Sequence, residues 1–250
     1  MQSNKSRLIA VRTVIIYAWT ILATLLLGSL TIICGYLSKT GNLSHLIARF
    51  WGQTILWVSC IRVFVKGQHH ILPGRSYIYM ANHQSNFDIP VLLAALPVQF
   101  RWLAKAELFR IPVFGRGMKG CGYISIDRSN RESAFESLNR AAATIRNGTS
   151  VLIFPEGTRS YDGRIQSFKK GGFVLTVDAG VPIIPLIIDG TRAIMPKGRK
   201  MITPGNVTLE IMAPIETTQY NRRNKDTLMD QVRLLMCKQI NQIKGGDRCV

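Results

Sequence analysis

Tyr77-Ile78-Tyr79-Met80-Ala81-Asn82-His83-Gln84-Ser85-Asn86-Phe87-Asp88 passes from apolar to polar within one short stretch. Aromatic and β-favouring residues at 77–80 predict a short buried strand. Asn82 to Asn86 are polar and turn-prone, so the strand ends there. Asp88 precedes Ile89-Pro90 and an apolar run, which predicts a helix start with Asp88 near the N-cap and proline in the first turn. His83 and Asp88 therefore flank a strand-to-helix turn. Such a turn can bring imidazole and carboxylate into contact. A carboxylate on one ring nitrogen fixes the tautomer and leaves the other nitrogen to take a proton. A capping aspartate beside a surface histidine is the bland alternative.

Outward from this stretch, strand-like and helix-like segments alternate. Strands are predicted near 61–66, 77–81, 99–104, 122–127, 150–154, 183–188 and 206–212. Helices are predicted near 88–95, 130–147, 168–179 and 224–243. This alternation implies an α/β fold, a mixed and largely parallel sheet layered by helices. Gly198 to Gly205 reads as a basic surface loop.

The N-terminal part differs in character. Residues 1–13 carry Lys5, Arg7 and Arg12 and no acid, and Val14 to Leu37 carries no charge. That run is long enough to span a bilayer and too long for a signal peptide. A second apolar stretch, Leu46 to Val65, is interrupted by Arg49, Gln53 and Arg62 and contains Phe50, Trp51 and Trp57. Aromatics with isolated basic residues favour an interfacial or re-entrant helix. The expected organisation is a membrane-anchoring helical segment, 1–60, and a catalytic domain, 61–250. A helical hairpin, or two helices lying in one leaflet, would keep that domain on the cytosolic side of an inner or cytoplasmic membrane.

The chain has 250 residues, 47% of them hydrophobic, and a formal charge of +18. Its mean hydropathy is positive. Such a charge suits anionic lipid or anionic substrates. Without a recognisable nucleic-acid-binding pattern, no nucleic-acid partner is expected. The five cysteines, Cys34, Cys60, Cys121, Cys237 and Cys249, show no C-x-x-C spacing. They read as reduced, mostly structural thiols. No zinc site assembles from them and the four histidines.

The N-H-Q-S-N-F-D segment resembles the H-x4-D motif of the glycerolipid acyltransferases, specifically the 1-acylglycerol-3-phosphate acyltransferases. Three further blocks resemble that family in order: Gly122-Tyr123-Ile124-Ser125-Ile126-Asp127-Arg128, Phe154-Pro155-Glu156-Gly157-Thr158-Arg159-Ser160 and Val181-Pro182-Ile183-Ile184-Pro185. The resemblance covers residues 60–215. It implies acyl transfer from a thioester, acyl-CoA or acyl carrier protein, to the sn-2 hydroxyl of lysophosphatidic acid, giving phosphatidic acid. It implies direct attack by the acceptor, and neither cofactor nor metal.

A hydroxyl is a weak nucleophile and needs a base as it attacks. His83 is the candidate base and Asp88 its orienter. Ser85 lies close enough in sequence to leave a Ser-His-Asp hydrolase open. Arg159, Arg128 and Lys105 each follow an apolar strand, where α/β ligands bind, and are the candidate phosphate ligands. Glu156 is expected to hold Arg159 or to bond the acceptor's glycerol. Gly157 is expected to supply close backbone approach or positive φ. The oxyanion donor is sought among backbone N–H groups at the His83 turn. Three further alternatives stay open. The acceptor can be glycerol 3-phosphate or a lyso-aminolipid, the basic residues can bind the phosphates of CoA, or the chain can be a non-enzymatic module docked on anionic membrane lipids.

Overall fold

The computed structural model describes residues 2–38, 40–127 and 131–250, with backbone alone at 2–5, 131 and 134. Two helices lead, α1 (Gln2–Leu37) and α2 (Asn42–Val58). The α/β part then runs β1 (Ile61–Lys66), β2 (Ile78–Ala81), α3 (Asp88–Ala95), β3 (Phe100–Lys105), α4 (Phe114–Gly120), β4 (Ile124–Ile126) and α5 (Arg131–Arg146). It continues with β5 (Ser150–Ile153), α6 (Lys170–Ala179), β6 (Ile183–Asp189), α7 (Thr191–Ile194), β7 (Gly205–Ile211) and α8 (Lys225–Lys244).

The strands form one sheet in the order β1-β7-β6-β2-β5-β3-β4. Every pairing is parallel except β6 with β7. The sheet is therefore mixed and largely parallel, as the alternation of segments implied. Its central strands are buried on both faces, which is why they read as continuous apolar runs. Successive side chains still alternate between faces. Tyr77, Tyr79 and Ala81 join a core with α2 and α3, while Ile78 and Met80 join a second core with α5, α6 and α8.

Several expectations are corrected. The helix expected within the apolar stretch 46–65 covers only its first part, and the rest is the strand expected near 61–66. The helix ends at Val58, Cys60 takes a positive φ of 49°, and the chain resumes as β1. α4 has no counterpart among the predicted helices because Gly115, Gly117 and Gly120 give it poor helix propensity. Packing supplies the reason for all three, since a Cβ on Gly115 would overlap the Phe109 carbonyl oxygen. A Cβ on Gly117 would sit 2.6 Å from Thr31 Oγ1, and one on Gly120 would sit 2.6 Å from the Thr31 carbonyl oxygen. Backbone thus meets backbone where α4 crosses α1. Cys237 and Cys249 are bridged by a disulfide, so these two are not free thiols. The chain end reaches α8 because Ile165 and Val250 donate backbone N–H bonds to Arg248 and Ile165.

α1 and α2 run antiparallel, with Trp51 Nε1 donating to Thr24 Oγ1 and Ser44 Oγ donating to the Thr31 carbonyl. They are fastened to the sheet by Arg101, which is 3% exposed. Its guanidinium donates to the Thr40 carbonyl at 2.8 Å, Asn42 Oδ1 at 2.6 Å and Gln99 Oε1 at 3.1 Å. It also bonds its neighbour's carbonyl, Phe100 O, at 3.0 Å. Arg101→Leu removes the hydrogen bonds of a buried guanidinium to Thr40 and Asn42 at the α1–α2 turn and should cost about 2–3 kcal/mol. Arg101→Lys should recover only part, because a point charge cannot satisfy the fork. Equilibrium denaturation in detergent measures both, and a Leu variant as stable as wild type counts against this fastening role.

Candidate active site

The parallel strands β2, β3 and β5 end on one edge of the sheet, where α/β ligands bind. Asn82 and His83 follow β2, Lys105 closes β3, and Phe154 to Ser160 follow β5. Asn82 extends the β2–β6 pairing with its side chain. Its Nδ2 donates to the Ile188 carbonyl at 3.0 Å, and Ile188 N–H donates to its Oδ1 at 2.7 Å. The chain is thus held to the sheet up to the residue before His83. In the sequence Asn82 stood out only for its turn propensity and as the residue that opens the N-H-Q-S-N-F-D segment.

His83 Nδ1 and Asp88 Oδ2 lie 2.7 Å apart. The same oxygen accepts backbone N–H bonds from Gln84 at 2.7 Å and Ser85 at 2.9 Å. An oxygen taking two N–H donors is an acceptor toward the third, so Nδ1 carries the hydrogen and Nε2 the lone pair. Asp88 opens α3 but caps no helical N–H; Phe87 holds the N-cap position. The Asp88 carboxylate instead gathers the turn before the helix. The His83 ring stacks on Phe154, centroids 3.9 Å apart and planes inclined by 10°.

Ser85 is turned away from this couple. Its hydroxyl donates to the Met195 carbonyl at 2.8 Å and accepts the Phe87 N–H. Among the described residues no hydrogen bond joins it to His83, which removes the structural basis for a Ser-His-Asp arrangement. The amides of Gln84 and Ser85 are spent on Asp88, so neither is free to serve as the oxyanion donor sought at this turn.

Glu156 is buried, 1% exposed. Its Oε1 accepts the His83 N–H at 2.7 Å and its Oε2 accepts the Gln166 N–H at 2.9 Å. The Ser160 N–H donates to the His83 carbonyl at 2.8 Å. The loop after β5 therefore holds both backbone polar groups of His83, and Glu156 faces the His83 backbone, with no ion pair to Arg159 among the described residues. Gly157 turns that loop with φ of 72°, a conformation costly for other residues.

An apolar cavity of about 190 Å³ opens at this edge. His83, Lys105, Phe154 and Gly157 line it at the strand ends, and Thr24, Leu27 and Gly28 of α1 with Ala48 and Trp51 of α2 line it from the helical pair. The α4 residues Gly117 and Met118 complete that wall. Arg159 is half-buried in the adjoining loop and does not line the cavity. Arg128 lies outside the described residues. Lys197, absent from the sequence candidates, donates from Nζ to the Arg159 carbonyl at 2.8 Å. Its only sequence signal is its place beside the basic loop after Gly198.

Burial lifts the Glu156 carboxyl from its ordinary 4.5 to about 7, against the pull of its two N–H bonds and with a smaller push from the Asp88 charge. A carboxyl that binds its proton more tightly when folded adds stability below the lower value and loses it as pH rises through the upper one. The loss between pH 4.5 and 7 should be about 3 kcal/mol. Glu156→Gln removes this titration, so its unfolding free energy should change less over the same window. Parallel stability curves for the two proteins would refute the assignment.

A family model described as Acyltransferase matches residues 62–189. A chloroplast 1-acyl-sn-glycerol-3-phosphate acyltransferase of Brassica napus is 33% identical over 202 residues, 80% of this chain and 56% of that protein. The 1-acyl-sn-glycerol-3-phosphate acyltransferase alpha of Homo sapiens is 32% identical over 193 residues, 75% of this chain and 68% of that one. The crystal structure of the 1-acyl-sn-glycerophosphate (LPA) acyltransferase PlsC from Thermotoga maritima superposes with a TM-score of 0.81 at 28% identity, covering 98% of this chain and 99% of that chain. The chain spans about half the length of the Brassica napus and Arabidopsis thaliana chloroplast relatives, 56% and 48%. By the family model and these relatives, the chain belongs to the acyltransferase family.

Proposed function

We propose that the chain transfers an acyl group from a thioester, acyl-CoA or acyl carrier protein, to the sn-2 hydroxyl of lysophosphatidic acid, giving phosphatidic acid. The observation that carries this reading is the His83–Asp88 couple opening into an apolar cavity that Lys105 also lines, with Arg159 in the adjoining loop after β5. An apolar cavity suits a hydrocarbon chain. A base at its polar end suits a hydroxyl that must lose a proton. The named activities of the relatives agree in substrate class.

In this mechanism the acceptor hydroxyl attacks the thioester carbonyl while His83 Nε2 takes its proton. The tetrahedral intermediate collapses with cleavage of the C–S bond, and the proton on Nε2 passes to the departing sulfur. Asp88 holds the ring in the required tautomer and balances the charge it gains. Glu156 acts through the His83 backbone. Arg159 and Lys105 bind the acceptor's phosphate, with Arg128 assigned to the same task from its motif.

We place the protein on a membrane, with the catalytic edge facing the cytosol. One helical segment, Ser6–Leu37, is long and apolar enough to cross a bilayer. α1 buries one side against α2 and α4 and exposes Leu8, Val14, Ile21, Leu26 and Ile33 on the other. In this reading the α1–α2 pair lies in one leaflet, and its inner face walls the acyl cavity. The formal charge of +18 suits anionic lipid.

An assay of purified protein in detergent tests the function with a panel of lyso-acceptors and both thioester donors. Phosphate-bearing acceptors should be acylated at sn-2, and acylation confined to aminolipids would overturn the reading. In the same assay His83→Ala should lose about 10²–10⁴ in turnover while melting as a folded protein. A folded variant that keeps wild-type turnover would remove His83 as the base. Ala48→Phe places a ring in the cavity wall, and an overpacked site costs about 1–3 kcal/mol. It should therefore lower kcat/KM for long-chain donors about tenfold and spare short ones. Equal loss on both chain lengths would show that the acyl chain lies elsewhere.

A further inference from the structure

We infer that Lys197 is a positioning residue for the acceptor's phosphate, acting through Arg159. This rests on the acceptor assignment above. Lys197 is half-buried, and its ammonium is committed to one loop. Nζ donates to the Arg159 carbonyl at 2.8 Å and to Thr158 Oγ1 at 3.2 Å. It also lies 3.9 Å from the centroid of the Tyr161 ring. One cation thus grips residues on both sides of Arg159 and the main chain of Arg159 itself. Among the described residues no carboxylate pairs with Lys197 or with Arg159.

The segment that carries Lys197 also touches the catalytic turn. Met195, two residues earlier, accepts the Ser85 hydroxyl hydrogen at 2.8 Å. Residues 195–197 therefore join the turn that holds the base to the loop that holds the guanidinium. This connection has a chemical use. A glycerol phosphate acceptor carries its reacting hydroxyl and its phosphate at a separation limited by a few bonds. A site that holds one and presents the other to a base must keep its cation and its base at a matching separation. Lys197 fixes the cation's end of that span.

The reading separates from direct phosphate binding by coupling. If Lys197 works through the Arg159 loop, its loss matters only while the guanidinium is present. Both KM values and kcat should be measured for wild type, Lys197→Met, Lys197→Arg, Arg159→Ala and the double variant Lys197→Met/Arg159→Ala, with lysophosphatidic acid and acyl-CoA as probes. Lys197→Met keeps the apolar stem and should raise the acceptor KM about tenfold, leaving kcat and the donor KM within about twofold. Lys197→Arg can donate to both acceptors and should restore most of the loss. In the double variant the acceptor KM should stay within about twofold of that for Arg159→Ala alone.

An unchanged acceptor KM in Lys197→Met overturns the inference. So does an equal rise in the donor KM, or a full additive rise in the double variant. If Lys197→Met does not fold, Thr158→Val carries the test. It deletes one acceptor of Nζ at an exposed site and should raise the acceptor KM in the same sense, while no change would again overturn the inference. The acceptor assignment fails separately, if wild type does not acylate lysophosphatidic acid or Arg159→Ala leaves the acceptor KM unmoved.

Discussion

Asp88 Oδ2 accepts three hydrogen bonds, from the His83 ring and from the amides of Gln84 and Ser85, in a site with no solvent exposure. A carboxylate buried this deeply is tolerated only where donors replace its lost water. The three donors come from consecutive residues, so the oxygen forces the chain to curl around it. That curl places the imidazole against Phe154 and directs the following residues into α3. The second oxygen, Oδ1, has no hydrogen-bond partner among the described residues. All the compensation therefore passes through the oxygen that orients His83. Removing that carboxylate would release the tautomer, the turn and the start of the helix together.

A second buried carboxylate does comparable work one strand away. Glu156 holds His83 by the backbone as Asp88 holds it by the ring. The two use different strand ends, β2 and β5, so the position of the imidazole depends on the pairing of these strands in the sheet. Two carboxylates near one histidine also disfavour each other, and the Asp88 charge adds to the burial that raises the Glu156 carboxyl. The arrangement accepts that repulsion in exchange for a rigidly held imidazole. Catalytic geometry of this kind tolerates little slack.

Much of the α/β layout was legible because its signals are local. Strands buried on both faces appear as short apolar runs, and α5, α6 and α8 lie where helical patterning placed them. What the pattern did not carry depends on contacts between distant segments. α4 is helical despite its glycines because α1 lies against them. The Cys237–Cys249 bridge depends on the tail returning to Ile165. Asn82 is a sheet extender only because Ile188 stands opposite. At the site, the H-x4-D spacing foretold contact between His83 and Asp88, yet the helix-cap role expected of Asp88 went instead to the turn before it. Glu156 stands close to Arg159 in sequence, whereas the fold gives both its oxygens to backbone amides. Lys197 belongs to no motif, and only the folded loop brings it to Arg159.

The helical pair is where fold and environment meet. α1 and α2 were read as an anchor because their residues are apolar, but apolar side chains on opposite faces of these helices have different neighbours. Leu27, Ala48 and Trp51 turn inward and line the cavity beside His83, while Leu26, Ile33 and Trp57 stay exposed. Glycine contacts bring α1 close to α4, and Arg101 ties the turn between α1 and α2 to β3. A pair fastened this firmly cannot shift in a bilayer without moving the cavity wall. The outer face would be stabilised by lipid, which removes its exposed apolar surface from water. In this reading the cavity wall and the membrane face are two sides of the same helices, so packing on one side is coupled to lipid contact on the other.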